Sequence, residues 1–379
     1  MFKLWIIYYW MGLLLRKKFK SRKQVLKWQE KRLKKFQQKV LSKSSYYAAQ
    51  IQAGKDIDSF PIIGKQEFVE NFDHINTVGL KAEEAFPFAI KAEKEREFDA
   101  ELMGITVGLS TGTSGNRSLF LVSTRERALW AANVFFRVVK PKLFKRQKVS
   151  FILRADSKLY QSVSSSFFKF KFLHLATPVP KIIDELNTYQ PDILSAQPSL
   201  MVLLAKAQEK GELNISPSQL ISYAEVLDEK DRKLIEDSFG AIITEVYQCT
   251  EGFLGHSCEH GSIHLHEDLQ RFEKQHISPG RFQAIVTDFS RSSQPVVRYL
   301  MNDILVEKKE ACPCGSPMIA LERIEGRMDE ILYFENEENK KLPIFPDFLR
   351  RAVVMTDERI ENYQLVQTGD KQLDIYVDS

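Results

Sequence analysis

Apolar and polar segments alternate regularly through the middle of the chain. Short apolar runs predict buried strands, and the longer segments between them predict helices. The predicted strands are 149–153, 172–176, 191–195, 220–224 and 241–247, and the predicted helices are 65–72, 124–139, 182–189, 198–211 and 228–239. Strands separated by helices of this length are typical of a layered α/β fold with mostly parallel sheets.

The segment 104–122, GITVGLSTGTSGNRSLFLV, places a polar turn between two apolar runs, which predicts a strand, a tight turn and a second strand. Glycines let the backbone approach a ligand closely, and clustered hydroxyl and N–H groups can hold phosphate oxygens. The Walker loop and the dinucleotide fingerprint do not match, because neither glycine spacing is present. The residues of this predicted phosphate loop are Ser110, Thr111, Gly112, Thr113, Ser114 and Gly115.

Composition indicates a globular protein of two domains, or one large domain with an appendage. The chain has 379 residues, of which 44% are hydrophobic and 27% charged. A net charge of +4 does not indicate nucleic acid, and we expect none as a partner. Four cysteines favour a reducing compartment. We expect a cytoplasmic protein, with membrane association left open, because the apolar N-terminal run lacks a cleavage site and is shorter than a spanning helix.

A basic segment comes directly after that N-terminal run. Between Arg16 and Lys43, Glu30 is the only acid, and apolar residues recur at helical spacing, which predicts a basic amphipathic helix. Three interpretations remain open. The helix is solvated and packs on its own domain, or it contacts an anionic membrane surface, or it binds an acidic protein partner or nucleic acid.

Three further motifs come after the loop. Strand 241–247 ends in Tyr247-Gln248-Cys249-Thr250-Glu251. The segment QPVVRYLMNDI contains Arg298, Tyr299 and Asp303, and IEGRMDEIL contains Gly326, Arg327 and Asp329. In this order, the four motifs resemble those of the adenylate-forming superfamily. The similarity extends from about residue 28 to residue 332, and it is greatest to the branch of phenylacetate–coenzyme A ligases and the coenzyme-adenylating synthetases of methanogens.

The resemblance implies a function and a set of roles. Members activate a carboxylic acid with ATP to an acyl-adenylate, and most transfer the acyl group to coenzyme A or to a carrier protein. By this resemblance Thr250 lies near the phosphates, Glu251 binds Mg²⁺, Tyr247 lies beside the adenine and Asp303 accepts the ribose hydroxyls. Arg327 approaches the phosphates and Asp329 is a hinge pivot. Ala224 and Glu225 correspond to a turn that contacts the nucleotide. An aromatic acid is the expected substrate.

The cysteine pattern predicts a structural zinc site. Cys312 and Cys314 form a pair in a Pro/Gly turn, and a distant Cys258 and a histidine complete a closed tetrahedral set. His260, His264 and His266 are all candidates from the residues alone. The ligase-like branch carries a histidine before an Ile-x-Glu-Asp run, and that resemblance selects His264.

The resemblance also divides the chain and identifies departures. We expect a basic N-terminal helical segment, residues 1–44, within a large adenylation domain that continues over 45–325. A small α+β C-terminal domain, 326–379, is expected to be shortened. The phosphate loop lacks the lysine that most family members carry, and Arg117 is the nearest cation. Gln248 stands where the family motif has a glycine. Lys371 does not match the position of the family's late catalytic lysine. These departures leave an alternative function open, that of a nucleotide-binding or peripheral-membrane protein with lost or partial catalysis.

Overall fold

The structure of the chain, a computed structural model, describes residues 2–95, 97, 100–110, 117–139, 146–153, 168–335, 341–346, 349, 352–353 and 362–378. The N-terminal part is helical. Its helices are α1 (Phe2–Leu15), α2 (Arg22–Lys39), α3 (Ser45–Gln52), α4 (Lys65–Glu70), α5 (Phe72–Ile75) and α6 (Ala82–Lys94). Within the described residues, no helix combines the length and the apolar character needed to cross a bilayer.

Helix α2 is the predicted basic amphipathic helix, although it is shorter than the segment 16–43. It buries Val25, Gln29, Leu33 and Phe36, which are spaced three and four residues apart and therefore share one face. Leu33 and Phe36 belong to the largest hydrophobic core, which they share with strand residues from the C-terminal half of the chain. The lysines point away from that core.

A small antiparallel sheet carries the predicted phosphate loop. Its strands are β1 (Glu101–Leu102), β2 (Ile105–Leu109) and β3 (Leu119–Ser123), and β2 pairs with β3 from Ile105↔Ser123 to Leu109↔Leu119. The predicted strand, turn and strand are therefore confirmed at both flanks. Positions 111–116, which include Thr111, Gly112, Thr113, Ser114 and Gly115, lie outside the described residues. The sheet packs on α6 through a core that includes Ala89 and Leu121.

The predicted α/β fold with parallel strands is confirmed in the centre of the chain. Strands β4 to β8 are parallel, in the order β5-β4-β6-β7-β8, and they belong to one sheet of eleven strands. The strands are β4 (Gln147–Leu153), β5 (Phe168–His174), β6 (Ile193–Ala196), β7 (Gln219–Tyr223) and β8 (Ile243–Cys249). The helices are α7 (Thr124–Val134, extended by a π-helical turn Phe135–Val139), α8 (Val179–Tyr189), α9 (Pro198–Glu209) and α10 (Glu229–Phe239).

The same sheet continues with antiparallel strands in the order β11-β12-β13-β14-β10-β9, where β9 pairs with β8. These strands are β9 (Gly252–Ser257), β10 (Ile263–Leu265), β11 (Gln270–Ser278), β12 (Arg281–Asp288), β13 (Val296–Glu307) and β14 (Ala320–Arg327). A 3₁₀ turn, Met328–Glu330, leads to two hairpins, β15 (Leu332–Glu335) with β16 (Lys341–Ile344), and β17 (Asn362–Gly369) with β18 (Gln372–Asp378). The predicted domain boundary at residue 326 stays a prediction.

Two buried carboxylates attach the N-terminal helices to the sheet. Asp268 is fully buried and forms ion pairs with Arg16, which comes directly after α1, and with Arg137 at 2.5 Å. Neighbouring Glu267 pairs with Arg22 at the start of α2. Burial alone would raise the pKa of Asp268, but the two arginines outweigh it and hold that pKa below its usual value. The carboxylate is therefore ionised, and it stabilises the fold at neutral pH.

We expect Asp268→Asn to destabilise the protein by about 3 kcal/mol at neutral pH, because it leaves Arg16 and Arg137 without a counter-charge in the interior. Urea unfolding measures this free energy. The pKa of Asp268 is lower in the folded than in the unfolded state, so its contribution is complete above the unfolded pKa. The difference between variant and wild type should shrink as the pH falls below about 4.

The matched control is Asp58→Asn. Asp58 pairs with Arg271, but 62% of its side chain is exposed. We expect this substitution to change the unfolding free energy by less than about 1 kcal/mol. Equal effects of the two substitutions would contradict the anchoring role of Asp268.

Candidate active site

A cleft lies beyond the carboxyl ends of β6, β7 and β8, where parallel sheets generally bind ligands. It is bounded by the β2–β3 hairpin on one side and by β13 and β14 on another. The structure brings nine of the predicted site residues to this cleft. They are Ser110, Ala224, Glu225, Tyr247, Thr250, Glu251, Asp303, Arg327 and Asp329.

The base of the predicted phosphate loop is closed by two serines. The N–H of Ser110 donates to the carbonyl of Ser118 at 2.8 Å, and the N–H of Ser118 donates to the Ser110 hydroxyl at 2.9 Å. Arg117 lies at the end of the loop, and its Nε donates to the Ser110 carbonyl at 3.0 Å. Its guanidinium also pairs with Glu93, at 2.7 and 3.0 Å, and this pairing raises the pKa of Arg117. Arg117 is thus held at the rim of the loop.

Arg291, which the sequence motifs did not indicate, joins the hairpin to the end of β8. One of its terminal nitrogens donates to the carbonyl of Thr250 at 2.6 Å, and the other donates to the carbonyl of Leu121 at 3.1 Å. It therefore fixes the distance between the hairpin and the Thr250-Glu251 turn. No local sequence pattern predicts this contact, because its partners are distant in the chain.

Glu126, at the start of α7, connects this helix to the turn at residues 292–293. Its carboxylate accepts hydrogen bonds from the Ser123 and Ser293 hydroxyls, both at 2.5 Å, and from the N–H groups of Ser292 and Ser293. Burial acts to raise the pKa of Glu126, but these bonds outweigh it and lower the pKa. The pattern Ser123-x-x-Glu126 is a capping box, so the helix start was visible in the sequence although the contact with 292–293 was not.

The end of β8 presents Glu251 to the cleft. The Thr250 hydroxyl donates to Glu251 Oε2 at 2.9 Å. Burial of Tyr299, together with its hydrogen bond to the Glu251 carboxylate, raises the pKa of that tyrosine. Two neutral hydroxyls thus orient the carboxylate, and within the described residues no cation forms an ion pair with it.

Gln248 lies in the same turn, one residue beyond Tyr247. Its Oε1 accepts a hydrogen bond from Nε1 of Trp130 at 2.8 Å. Trp130 is on α7, so this bond connects the helix to the end of β8 across the cleft wall. The side chains of both residues line the cleft.

Tyr247 and Asp303 form a direct contact. The Tyr247 hydroxyl donates to Asp303 Oδ2 at 2.6 Å. Burial raises the pKa of Asp303, although the bond from Tyr247 and the charge of Arg327 act in the opposite direction. The two residues that the resemblance assigns to the adenine and the ribose are therefore adjacent.

Strands β13 and β14 place the remaining charged residues. Asp303 is the cross-strand partner of Arg327. Beyond β14, Asp329 Oδ1 accepts a hydrogen bond from Asn302 at 2.8 Å and lies 3.5 Å from Nε of Arg327. The predicted phosphate and hinge residues are thus positioned by the same antiparallel pair as the predicted ribose residue.

The turn after β7 carries Ala224 and Glu225. Ala224 has a φ of 69°, a left-handed conformation in which glycine costs less than alanine. Glu225 Oε2 accepts a hydrogen bond from the N–H of Ser199 at 3.1 Å, in the first turn of α9. The strained turn therefore directs this carboxylate to a helix N-terminus, where a negative charge is favourable.

The structure brings Cys258, His264, Cys312 and Cys314 together, with their ligand atoms within 4.8 Å of one another. The Cys258 and Cys312 sulfurs are 3.5 Å apart, and the Cys314 sulfur is 3.2 Å from His264 Nε2. Burial acts to raise the pKa of Cys312, but hydrogen bonds that include one from His264 lower it to about 6.

The two other candidate histidines lie outside this cluster. His266 contacts His256 at 2.8 Å and the carbonyl of Phe253 at 2.9 Å. His260 is exposed. Of the three histidines that the sequence left open, His264 is the one whose ring reaches the cysteines.

No protein-family model matches the chain. Phenylacetate-coenzyme A ligase of Thermus thermophilus is 24% identical over 208 residues, which are 50% of this chain and 45% of that protein. Protein CapK of Staphylococcus aureus is 25% identical over 201 residues, 52% of this chain and 43% of that protein. The matched region thus spans a little less than half the length of these curated relatives.

Solved structures share the fold. The crystal structure of 2-hydroxyisobutyryl-CoA ligase in complex with 2-HIB-AMP covers 94% of this chain and 78% of its own, with a TM-score of 0.64 at 16% identity. Anthranilate CoA ligase AuaEII with anthranoyl-AMP covers 72% of this chain and 56% of its own, with a TM-score of 0.52 at 9% identity. The chain therefore has the α/β fold of these acyl-adenylate-binding CoA ligases, and its sequence is similar to a phenylacetate-coenzyme A ligase and to CapK.

Proposed function

We propose that the protein activates a carboxylic acid with ATP to form an acyl-adenylate, with release of pyrophosphate, and then transfers the acyl group to a thiol. The supporting observation is the convergence of nine predicted site residues on one cleft. The names of the similar structures are consistent with this, since 2-hydroxyisobutyryl-CoA ligase was solved with 2-HIB-AMP and CoA.

Each residue then has a role at a defined place. Asp303 and Tyr247 would bind the ribose and the adenine. Ser110 and the adjoining loop would bind the β- and γ-phosphates, together with Thr250, while Arg327 would approach the α-phosphate. Ala224 and Glu225 would contact the nucleotide, and Asp329 would act as the hinge pivot. In-line attack of the substrate carboxylate on the α-phosphorus needs no nucleophilic side chain, only positioning and neutralisation of charge.

Glu251 fits a Mg²⁺ ligand. Its carboxylate faces the cleft, and the neutral hydroxyls of Thr250 and Tyr299 donate hydrogen bonds to it. Oxygen from one or two carboxylates plus phosphate is the usual environment of Mg²⁺ in nucleotide sites. The ion would neutralise charge on the phosphates, and the oriented Glu251 carboxylate would determine the position of the ion.

The acid is proposed to be aromatic or arylalkyl, because flat apolar side chains line part of the cleft. Trp130 and Phe151 are among them, and Gln248 narrows the space near Trp130. Coenzyme A or the phosphopantetheine of an acyl carrier protein would accept the acyl group.

The alternative is a protein that binds the nucleotide but has lost all or part of the turnover. It is favoured by the pairing of Arg117, the cation nearest the loop, with Glu93 rather than with the cleft. Lys371 does not supply a replacement, since it is exposed in the turn between β17 and β18.

We expect Mg²⁺-dependent exchange between pyrophosphate and ATP in the presence of a suitable aryl acid, and we expect Glu251→Gln to reduce its rate at least about 100-fold. The loss should appear mainly in kcat, because the carboxylate acts on charge that develops during the transfer. Glu83→Gln, at an exposed position of α6, is the matched control and should leave the rate unchanged.

The two functions predict different results in the same preparation. Calorimetric binding of ATP or AMP without exchange for any acid in a panel of aryl, arylalkyl and fatty acids would favour the alternative. Exchange that Glu251→Gln leaves intact would contradict the assigned role of Glu251.

We also propose that Cys258, His264, Cys312 and Cys314 bind a structural Zn²⁺. Three soft sulfur donors and one imidazole nitrogen within 4.8 Å are the donor set of a closed tetrahedral site. Such a site would stabilise the turn 312–315 against β10, close in the chain to β14 and Arg327.

We expect purified protein to contain about one zinc ion per chain, and the double variant Cys312→Ser, Cys314→Ser to contain none. The variant should also unfold at a lower urea concentration, since bound metal stabilises only the folded state. Metal analysis by mass spectrometry measures the first effect. Cys249→Ser, outside the cluster, should keep the zinc; zinc retained by the double variant would exclude this site.

A further inference from the structure

Helix α1 is apolar around its whole circumference, yet one side of it is exposed. Its sequence, FKLWIIYYWMGLLL, contains a single charge, Lys3. Helices of this kind normally lie inside a protein core or in a membrane. Here Leu4 is 69% exposed and Leu15 is 78% exposed. The other exposed large apolar residues of the helix are Ile7, Tyr8, Met11 and Leu14.

These six residues form one continuous stripe, which we call the α1 stripe. They are spaced three and four residues apart, and at 3.6 residues per turn they occupy an arc of about 120°. The opposite side of α1 packs on α7. Arg125 lies 4.2 Å from the centre of the Trp5 ring, and Arg127 lies 5.7 Å from that of Phe2. The stripe is therefore held outward by specific contacts on its other side.

Exposed lysines lie directly after the stripe in the chain. Lys17, Lys18 and Lys20 lie in the linker between α1 and α2, and all three are exposed. The linker is fixed at both ends, because Arg16 pairs with Asp268 and Arg22 pairs with Glu267. Helix α2 adds more exposed lysines. These are Lys23, Lys27, Lys31, Lys34 and Lys35.

Among the described residues, these lysines have no acidic partner. None forms an ion pair with a residue in the parts of the chain that the structure describes. A partner that covers both the apolar stripe and the cluster of cations must offer an apolar phase and negative charge together. A second copy of this chain would cover the stripe but would bring the lysines together, and a nucleic acid would pair with the lysines but leave the stripe in water.

We propose that the α1 stripe and the linker lysines dock this protein on the surface of an anionic phospholipid bilayer. The stripe enters the boundary between headgroups and acyl chains, with α1 parallel to the membrane plane, and the lysines pair with the anionic headgroups. This inference goes beyond the proposed enzymatic function and does not depend on it, since none of its residues lines the cleft.

The test is sedimentation of the full chain with vesicles of phosphatidylcholine alone and with vesicles that also contain phosphatidylserine. We expect binding to the anionic vesicles only, and weaker binding as the salt concentration rises. Two variants separate the contribution of the apolar stripe from that of the lysines. Each should reduce the affinity for anionic vesicles at least about tenfold. They are the stripe variant Leu4→Ser, Met11→Ser, Leu15→Ser and the linker variant Lys17→Gln, Lys18→Gln, Lys20→Gln.

Each variant has a control with the same number of substitutions of the same kind at exposed positions elsewhere, which should bind as the wild type does. The apolar control is Ile90→Ser, Ile242→Ser, Ile375→Ser, and the charge control is Lys181→Gln, Lys210→Gln, Lys309→Gln. Thermal unfolding followed by circular dichroism verifies that each variant is folded.

Several results would overturn the proposal. One is absence of binding to anionic vesicles. Another is binding that the charge control weakens as much as the linker variant, because that would indicate net charge rather than this surface. Self-association of the wild type that the stripe variant abolishes, without vesicle binding, would identify a second copy of the chain as the occupant instead.

Discussion

The adjacent carboxylates Glu267 and Asp268 connect parts of the molecule that are far apart in the chain. Two carboxylates in an interior of low dielectric are costly unless each has a partner, and Arg16, Arg22 and Arg137 supply the partners. The N–H of Ile319, just before β14, donates to Glu267 at 2.7 Å. One buried cluster of charges thus fixes the N-terminal helices, the end of α7 and the approach to β14 relative to one another.

That arrangement sets the geometry of the cleft, because α7 forms one of its walls. Glu126 at the start of α7 binds the 292–293 turn, and Arg291 beside that turn binds both the hairpin and the end of β8. The groups proposed to bind phosphate and magnesium are therefore held by residues that themselves make no proposed contact with the nucleotide. Preorganisation of this kind lets a site stabilise charge without rearranging its own dipoles during the reaction.

The sequence predicted the local parts of this structure and missed the long-range ones. Strands β4 to β8 and the helices between them are explained by buried apolar runs, Pro198 at a helix start and Gly240 at a helix end. Seven of the nine cleft residues belong to the four ordered motifs, and Ala224 and Glu225 were assigned by the resemblance. Arg291 could not be found, since its two acceptors are backbone carbonyls in segments that no local pattern links to it.

Side-chain contacts that form only in the packed structure could not be predicted from the sequence either. The bond from Trp130 to Gln248 and the bond from Tyr247 to Asp303 need the sheet to be assembled before either pair meets. Likewise, the apolar character of α1 was evident from its residues, but which of its sides is exposed depends on its contact with α7. The spacing of apolar residues predicts a helix or strand and its apolar side. Which other element packs on that side depends on the complete fold.

The pairing of Asp303 with Arg327 across β13 and β14 limits how the C-terminal residues can move. Both residues lie in one hydrogen-bonded ladder, and if Asp329 acts as the proposed hinge pivot, a rotation of the hairpins would bend the chain at Met328–Glu330 and leave the two residues in place. Gly326 is compatible with this crowded bend, since its φ is +127° and a Cβ there would lie 2.9 Å from Glu330. The bond from Asn302 on β13 to Asp329 in the turn would break in such a rotation, whereas Arg327 would stay on β14 beside Asp303.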